Sequence, residues 1–125
     1  MQNSAAEQPQ QAIQRFHVGA RMSEMALYNQ TLYLAGQVTT DDSLDITGQT
    51  TDVLSQIDKL LAEAGSDKSR ILMCQIYLSD LSNFAAMNKV WDAWVVPGHT
   101  PPRATVQAAL AKPEWLIEIV ITAAR

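Results

Sequence analysis

Two stretches of the chain repeat apolar residues at helical spacing. In the first, over residues 50–64, the apolar positions fall on one face of a helix. They are Val53, Leu54, Ile57, Leu60, Leu61 and Ala64. Thr50 or Thr51 is placed to cap the start of this helix. Gly65 follows its end, where left-handed backbone is common.

The second predicted helix covers residues 83–96. One face of it carries Phe84, Met87, Trp91, Trp94 and Val95. Ser82 is a suitable N-cap residue, and Pro97 with Gly98 ends the helical pattern.

Five strands are predicted around these helices, over residues 24–28, 31–38, 71–78, 103–108 and 116–123. The first two are joined by a short hairpin turn at residues 28–31. The third is apolar on both alternating faces, so we expect a central strand that is covered on both sides.

The resulting order, β-β-α-β-α-β-β, predicts an α+β domain with both helices on one face of a mixed sheet. The other face is left without helices. Apolar side chains are nevertheless expected to point both ways, namely Tyr33, Met73, Ile117, Ile119 and Ile121. Because another subunit is one way to cover a second apolar face, the pattern indicates a small oligomer.

Length and composition fit one folded domain. The chain has 125 residues, of which 47% are hydrophobic and 18% charged. Residues 1–12 are polar and Gln-rich, so we expect a mobile leader there and a single domain over residues 13–125. Nine Lys and Arg against thirteen Asp and Glu give a net charge of −4. This balance, without a basic cluster, argues against a nucleic-acid binder.

Few residues suit metal or disulfide chemistry. Cys74 is the one cysteine, which excludes an internal disulfide. His17 and His99 are too few and too scattered for a structural zinc site, so we expect no metal. No stretch reads as a signal peptide or a membrane span, and we therefore expect a cytoplasmic protein without a membrane partner.

Arg103 is the first candidate for chemistry. Pro101 and Pro102 stiffen the approach to it, and Thr105 and Gln107 share its strand face. A rigidly delivered guanidinium suits a planar anion such as a carboxylate. The alternative is an ordinary surface salt bridge at the start of a strand.

Glu118 is the second candidate, because it interrupts an otherwise apolar strand. A carboxylate among apolar neighbours needs a partner, and Arg103 of the preceding strand is one. Glu118 is also placed to orient a water molecule. The alternative is a charge that protects an edge strand from aggregation.

The remaining candidates are better explained by structural roles than by catalysis or ligand binding. Cys74 is interpreted as a buried thiol, and His99 as a solvated loop residue. Trp91 and Trp94 fit packing on a helix face better than a ligand platform.

At this point the chain resembles the Rid family, the reactive intermediate deaminases, also called the YjgF family. The similarity covers nearly everything after about residue 20 and is carried by Leu32–Val38, Val53–Gly65, Ile76–Met87 and above all Pro101–Ala124. The stretch from Trp91 to His99 resembles a divergent, YoaB-like branch.

The resemblance implies a homotrimer of subunits with a chorismate-mutase-like fold and clefts between adjacent subunits. It implies hydrolysis of 2-imino acids to 2-keto acids and ammonia, without metal or cofactor. By the same resemblance, Arg103 binds the substrate carboxylate, Glu118 positions the hydrolytic water and Gly36 lies beside the site. Three pocket positions depart from the family pattern: Met22 replaces Tyr, Ala35 replaces Ser and Thr105 replaces Cys.

Two other functions remain open. The departures at Met22, Ala35 and Thr105 favour a non-catalytic trimer that binds small carboxylates or a protein partner. RNA cleavage or translation inhibition, sometimes ascribed to relatives, fits poorly with the net charge of −4.

Overall fold

The structure, a computed structural model, describes residues 12–125 and consists of a sheet with two α-helices packed on it. The strands are β1 (Gln14–Phe16), β2 (Met25–Tyr28), β3 (Thr31–Leu34), β4 (Ile71–Leu78), β5 (Arg103–Gln107) and β6 (Ile117–Ala124). The helices are α1 (Ile46–Glu63) and α2 (Phe84–Trp94), with short 3-10 turns at Lys68–Arg70 and Leu81–Asn83. The predicted leader over residues 1–12 lies outside the described residues apart from Ala12.

The six strands form one sheet in the order β1-β2-β3-β6-β4-β5. All neighbours are antiparallel except β4 and β5, which are parallel. The predicted α+β class, with helices on a mixed sheet, is confirmed. Strand β1 was not predicted, because this three-residue strand is mostly exposed and has no apolar alternation.

Helix α1 begins four residues before its predicted start. Asp45 is its N-cap, and its Oδ1 accepts a hydrogen bond from the amide of Gly48 at 2.9 Å. Thr50 therefore lies inside the helix, where it is buried, and the predicted Thr cap is wrong. Gly48, a poor helix former, obscured the first turn. The predicted helix end is confirmed, since Gly65 has a φ of 82°.

Helix α2 is shorter than predicted. Ser82 lies in a 3-10 turn that precedes the helix, and its amide donates to Asp80 Oδ1 at 2.8 Å. The helix ends at Trp94, and Val95 is already extended, with ψ at 155°. The predicted hairpin between β2 and β3 is confirmed by positive φ angles at Asn29 and Gln30, a conformation that suits the twist of a tight hairpin.

The core lies between the helices and one face of the sheet. The expectation that apolar side chains point to both faces of the sheet is confirmed, since Tyr33 and Met73 are exposed on the side away from the core. Ile117, Ile119 and Ile121 are all buried on the core side. They share one strand parity, and Glu118 occupies the other. Tyr33 lies on the face without helices and is 52% exposed.

Strand β4 is internal, as predicted, because it lies between β6 and β5. Cys74, Ile76 and Leu78 are buried beneath the helices. On the other side, Leu72 and Met73 are 50% and 40% exposed. Within one chain, therefore, β4 is covered on one face only. The prediction that both of its faces are covered is wrong for a single chain.

Candidate functional site

A cavity of about 530 Å³ opens where the chain leaves β3, and we call it the Glu118 cavity. Three of the predicted site residues line it, namely Met22, Gly36 and Glu118. Ala35 lies beside the cavity rather than in its wall, and its amide is bonded to the carbonyl of Glu24 at 2.9 Å. The structure therefore brings Met22, Gly36 and Glu118 together at one cavity.

Gly36 is required by the position of the Glu118 carboxylate. A Cβ atom on residue 36 would fall against Glu118 Oε2 and 2.8 Å from its Cδ, too close for any real side chain. The two ion pairs of the described residues, His17–Glu63 and Lys112–Asp42, leave Glu118 without a cationic partner. The carboxylate is half-buried and available to a ligand or a water.

Two polar residues of this cavity were missed by the sequence analysis. Gln37 is only 6% exposed, and its Nε2 donates to Glu24 Oε1 at 2.9 Å and to the carbonyl of Ala35 at 3.1 Å. Both Gln37 and Glu24 line the cavity. The sequence places Gln37 near the end of an alternating strand pattern, but its burial and its pairing with Ile119 across the sheet are seen only in the structure.

A hydrogen-bond cluster fixes one wall of the cavity to α1. Asp52 Oδ2 accepts from the amide and the hydroxyl of Thr40 at 2.7 and 3.0 Å. It also accepts from the hydroxyl of Thr39 at 2.7 Å and from Gln56 Nε2 at 3.3 Å. Burial alone would raise the pKa of Asp52, but these donors hold the pKa below its ordinary value.

Arg103 lies in a second cluster, which we call the Arg103 cradle and which consists of Phe84, Asn88, Trp91, Arg103 and Thr105. The guanidinium carbon lies 5.1 Å from the centre of the Trp91 ring and 5.8 Å from that of Phe84. Such contacts attract a cation to the ring face and restrict its orientation. Trp91 is a core residue, as predicted, and in addition it contacts the candidate arginine.

The cradle also contains polar atoms that lack partners. Asn88 Oδ1 and Thr105 Oγ1 are buried and accept or donate no hydrogen bond among the described residues. Such atoms are rare in native proteins and commonly meet a ligand or water. The sequence analysis missed Asn88, although its spacing from Phe84 and Trp91 places it on the same face of α2.

Cys74 lies beside Arg103 in the strand register and is buried. Burial raises the pKa of its thiol to about 12, although the charge of Arg103 acts in the opposite direction. The thiol is therefore protonated near neutral pH and is not a nucleophile. The prediction of a buried structural thiol is confirmed.

The side chains of Glu118 and Arg103 extend from opposite faces of the sheet. Arg103 pairs with Cys74 and, through β4, with Ile121, all on the helix side. Glu118 pairs with Tyr77 on the other side. The predicted contact between Arg103 and Glu118 within one chain is therefore wrong. The edge-strand alternative for Glu118 is wrong as well, since β6 lies between β3 and β4.

The histidines stand apart from Arg103 and Glu118. His99 is exposed in the loop before β5, as predicted. His17 Nε2 lies 2.7 Å from Glu63 Oε1, a contact that raises the pKa of the imidazole. Over residues 12–125 no three His, Cys, Asp or Glu side chains gather closely enough to hold a metal ion. In the same range no helix is long and apolar enough to cross a membrane.

Comparison with known proteins decides the family. Residues 9–125 match the sequence profile of the family described as Endoribonuclease L-PSP. The chain belongs to this family. A RutC family protein of Haemophilus ducreyi is 54% identical over 112 residues, which cover 90% of this chain and 96% of that relative. RutC family protein YoaB of Escherichia coli is 49% identical over 112 residues, which cover 90% of this chain and 97% of YoaB.

Solved structures of similar proteins share the fold. A YjgF family protein of Neisseria meningitidis is 48% identical and superposes with a TM-score of 0.89, covering 91% of this chain and 95% of that one. A Pseudomonas aeruginosa protein is 43% identical with a TM-score of 0.89, covering 91% and 99%. The resemblance to the YjgF or Rid family, including its YoaB-like branch, is confirmed.

Proposed function

We propose that this protein hydrolyses 2-imino acids to 2-keto acids and ammonia. Membership of the family supports a deaminase or a related small-molecule function. The observation that carries the proposal is Arg103, whose guanidinium is oriented between Phe84 and Trp91 and forms no ion pair within the described residues. An oriented guanidinium beside unpartnered polar atoms suits the carboxylate of a small acid.

A complete site requires two copies of the chain. Arg103 and Glu118 lie on opposite faces of one sheet, so a single copy does not bring them to the same substrate. The face without helices exposes Tyr33, Met73 and Val106, which a second copy can cover. We therefore propose a homotrimer in which the Arg103 cradle of one copy faces the Glu118 cavity of the next.

The chemistry follows from these positions. Arg103 binds the carboxylate through two parallel hydrogen bonds and fixes the imine carbon over the cavity. Glu118 accepts a proton from water as the water oxygen bonds to that carbon. The proton then passes to the nitrogen of the tetrahedral carbinolamine. Glu118 then transfers the remaining proton of the carbinolamine hydroxyl to the same nitrogen, the carbon–nitrogen bond breaks, ammonia leaves, and a carbonyl forms, so one water is consumed for each imine.

The pocket walls determine which side chains fit. Gly36 and Ala35 bring the backbone close to the Glu118 carboxylate, and Met22 adds an apolar, 53% exposed side chain. Thr105 supplies a buried hydroxyl without a partner in the cradle. Of these four residues, only Thr105 offers the substrate a polar side chain, so their part of the pocket is mainly apolar.

An RNA substrate, which the family description names, is less compatible with this cavity. Glu24 and Glu118 both line it, and Lys, Arg and His side chains are absent from its wall within the described residues. Carboxylates repel the phosphates of a nucleic acid, and the net charge of −4 acts in the same direction.

The test generates imines in situ with an amino-acid oxidase and follows the appearance of the 2-keto acid with and without the protein. Pyruvate and 2-oxobutanoate are titrated separately into wild type, Arg103→Ala and Arg103→Lys. We expect faster hydrolysis with wild type, loss of binding with alanine and weak binding with lysine, which keeps the charge but not the planar fork. Wild type that binds neither acid and accelerates no hydrolysis would support the non-catalytic alternative. Equal binding by wild type and Arg103→Ala would exclude Arg103 as the carboxylate receptor.

A further inference from the structure

We infer that the preferred substrate is a 2-imino acid whose side chain ends in a basic group, an ammonium or a guanidinium, and that Glu24 and Gln37 bind this group. The inference rests on the proposed hydrolysis, because it adds a side-chain subsite to the same cavity. It is carried by the position of the two residues, by the free acceptor on Gln37 and by the charges around them.

The position follows from a second cavity of about 340 Å³. Glu24, Gln37 and Gln56 line both this cavity and the Glu118 cavity, so they form the boundary between the two. Glu118 lines the Glu118 cavity only. A substrate that reacts at Glu118 and extends along the cavity therefore directs its side chain toward Glu24 and Gln37.

The amide of Gln37 has only one chemically sensible orientation. Both neighbours of its Nε2, Glu24 Oε1 and the carbonyl of Ala35, are acceptors. The amide oxygen must therefore point away from them, and no donor of the described residues is bonded to it. Although the residue as a whole is 6% exposed, this oxygen is accessible from the boundary of the cavity as an acceptor without a donor. A hydrogen-bond donor of the ligand would satisfy it.

The charges select a cationic donor. Glu24 and Glu118 are the charged residues of the cavity wall within the described chain. In the proposed assembly, Arg103 of the next copy approaches Glu118 with the bound carboxylate, while Glu24 has no ion pair among the described residues. A cation is therefore favoured at Glu24 over a neutral group of the same shape.

The charged groups of the second cavity limit how far the basic group of the substrate can extend past Glu24 and Gln37. His17 and Lys59 line the second cavity, where His17 is already paired with Glu63. Lys59 has no ion pair among the described residues. Its ammonium repels a cation that extends farther, so the basic group is expected to stop at Glu24 and Gln37.

The experiment compares two imines of equal length, generated in situ from arginine and from citrulline. Arginine carries a guanidinium, and citrulline carries a neutral ureido group of the same shape. For wild type we expect a higher kcat/KM for the arginine imine. Glu24→Gln, which keeps the shape but removes the charge, should lower that value roughly tenfold or more and leave the citrulline imine unchanged.

Glu63→Gln is the matched control, because it removes the same charge from the second cavity but not from the Glu118 cavity, and it should leave the preference intact. Thermal unfolding of each variant verifies that it is folded. Equal kcat/KM values for the two imines with wild type, or equal losses for both imines with Glu24→Gln, would overturn the subsite and leave the proposed hydrolysis standing. Wild type that accelerates neither of these imines nor the imine of alanine would overturn the proposed function, and the subsite with it.

Discussion

The Glu118 cavity and the Arg103 cradle are built in opposite ways. The cavity depends on backbone proximity and on hydrogen bonds, since Gly36 admits the Glu118 carboxylate and Asp52 holds the wall. The cradle depends on aromatic side chains of α2, which hold the guanidinium of Arg103. The cavity is rich in acceptors, and the cradle presents an unpaired cation.

The comparison teaches that each region lacks what the other supplies. The cavity has a carboxylate to activate water but no cation in its wall to bind an acid. The cradle has the cation but no carboxylate paired with it in the described chain. Because Arg103 and Glu118 extend from opposite faces of one sheet, the proposed trimer, rather than the folding of one chain, is what would unite them.

The largest effect is expected for Glu118→Gln, which removes the proton acceptor from the cavity. Turnover of imines should fall roughly 10²–10⁴-fold, the usual contribution of a general base. Binding of pyruvate should remain nearly unchanged, because the carboxylate is bound by the cradle. Rates and titrations measured on the same preparation separate the two effects, and an equal loss of both would show a structural role for Glu118.

Gly36→Ala tests the cavity without removing any charge. Its new methyl group must displace the Glu118 carboxylate, and a displacement of about 1 Å costs roughly 10²-fold in rate. The effect should appear in kcat rather than in pyruvate binding. Thermal unfolding of Gly36→Ala verifies that the variant is folded. Unchanged turnover in Gly36→Ala would show that the position of the carboxylate does not matter.

Phe84→Leu tests the cradle, because it removes an aromatic face from Arg103. Loss of one such contact at a partly exposed site costs about 0.5–1 kcal/mol, which corresponds to roughly two- to fivefold weaker binding of pyruvate. Leu81→Ala, at a similarly exposed apolar residue outside the cradle, should bind pyruvate like wild type. Calorimetric titration measures both. Identical affinities for all three proteins would mean that the ring does not orient the guanidinium.

The smallest effect concerns His17, at the second cavity. Its hydrogen bond with Glu63 raises the pKa of the imidazole in the folded protein above the ordinary value of 6.5. The pair therefore stabilises the fold fully below pH 6.5, and this contribution is lost as the pH rises through the raised pKa. Thermal unfolding of wild type and His17→Gln should differ slightly at acidic pH and converge at alkaline pH. A difference that grows with pH would contradict the assignment.

Much of the fold could be predicted, because its signals are local. The apolar stripe of α1 and the apolar run of β4 reflect burial against neighbours that any packed α+β domain supplies. Boundaries were harder, because Asp45 caps α1 through a hydrogen bond to Gly48 that apolar periodicity does not reveal. Whether Ile117, Ile119 and Ile121 are buried depends on which face of the sheet the helices cover. That is a property of the tertiary structure.

The candidate site could be predicted only in part. Arg103, Glu118 and Gly36 were found because each breaks a local pattern or matches the family. Their pairing was predicted wrongly, because strand order is not local: β4 lies between β5 and β6. Glu24 carried no local signal. Asn88 has helical spacing from Phe84 and Trp91, but that spacing does not reveal that its Oδ1 is buried without a partner.

The central claim is that one copy supplies Arg103 and another supplies Glu118. The most direct test mixes two inactive variants, Arg103→Ala and Glu118→Gln, in equal amounts, unfolds and refolds them together, and measures imine hydrolysis. In a randomly mixed trimer population about three quarters of the trimers contain both variants, and each of these has one intact site of three. The account therefore predicts recovery of about one quarter of the activity of wild type treated in the same way. Activity that stays at the level of the separate variants, while wild type recovers, would show that the two residues do not meet across a subunit interface.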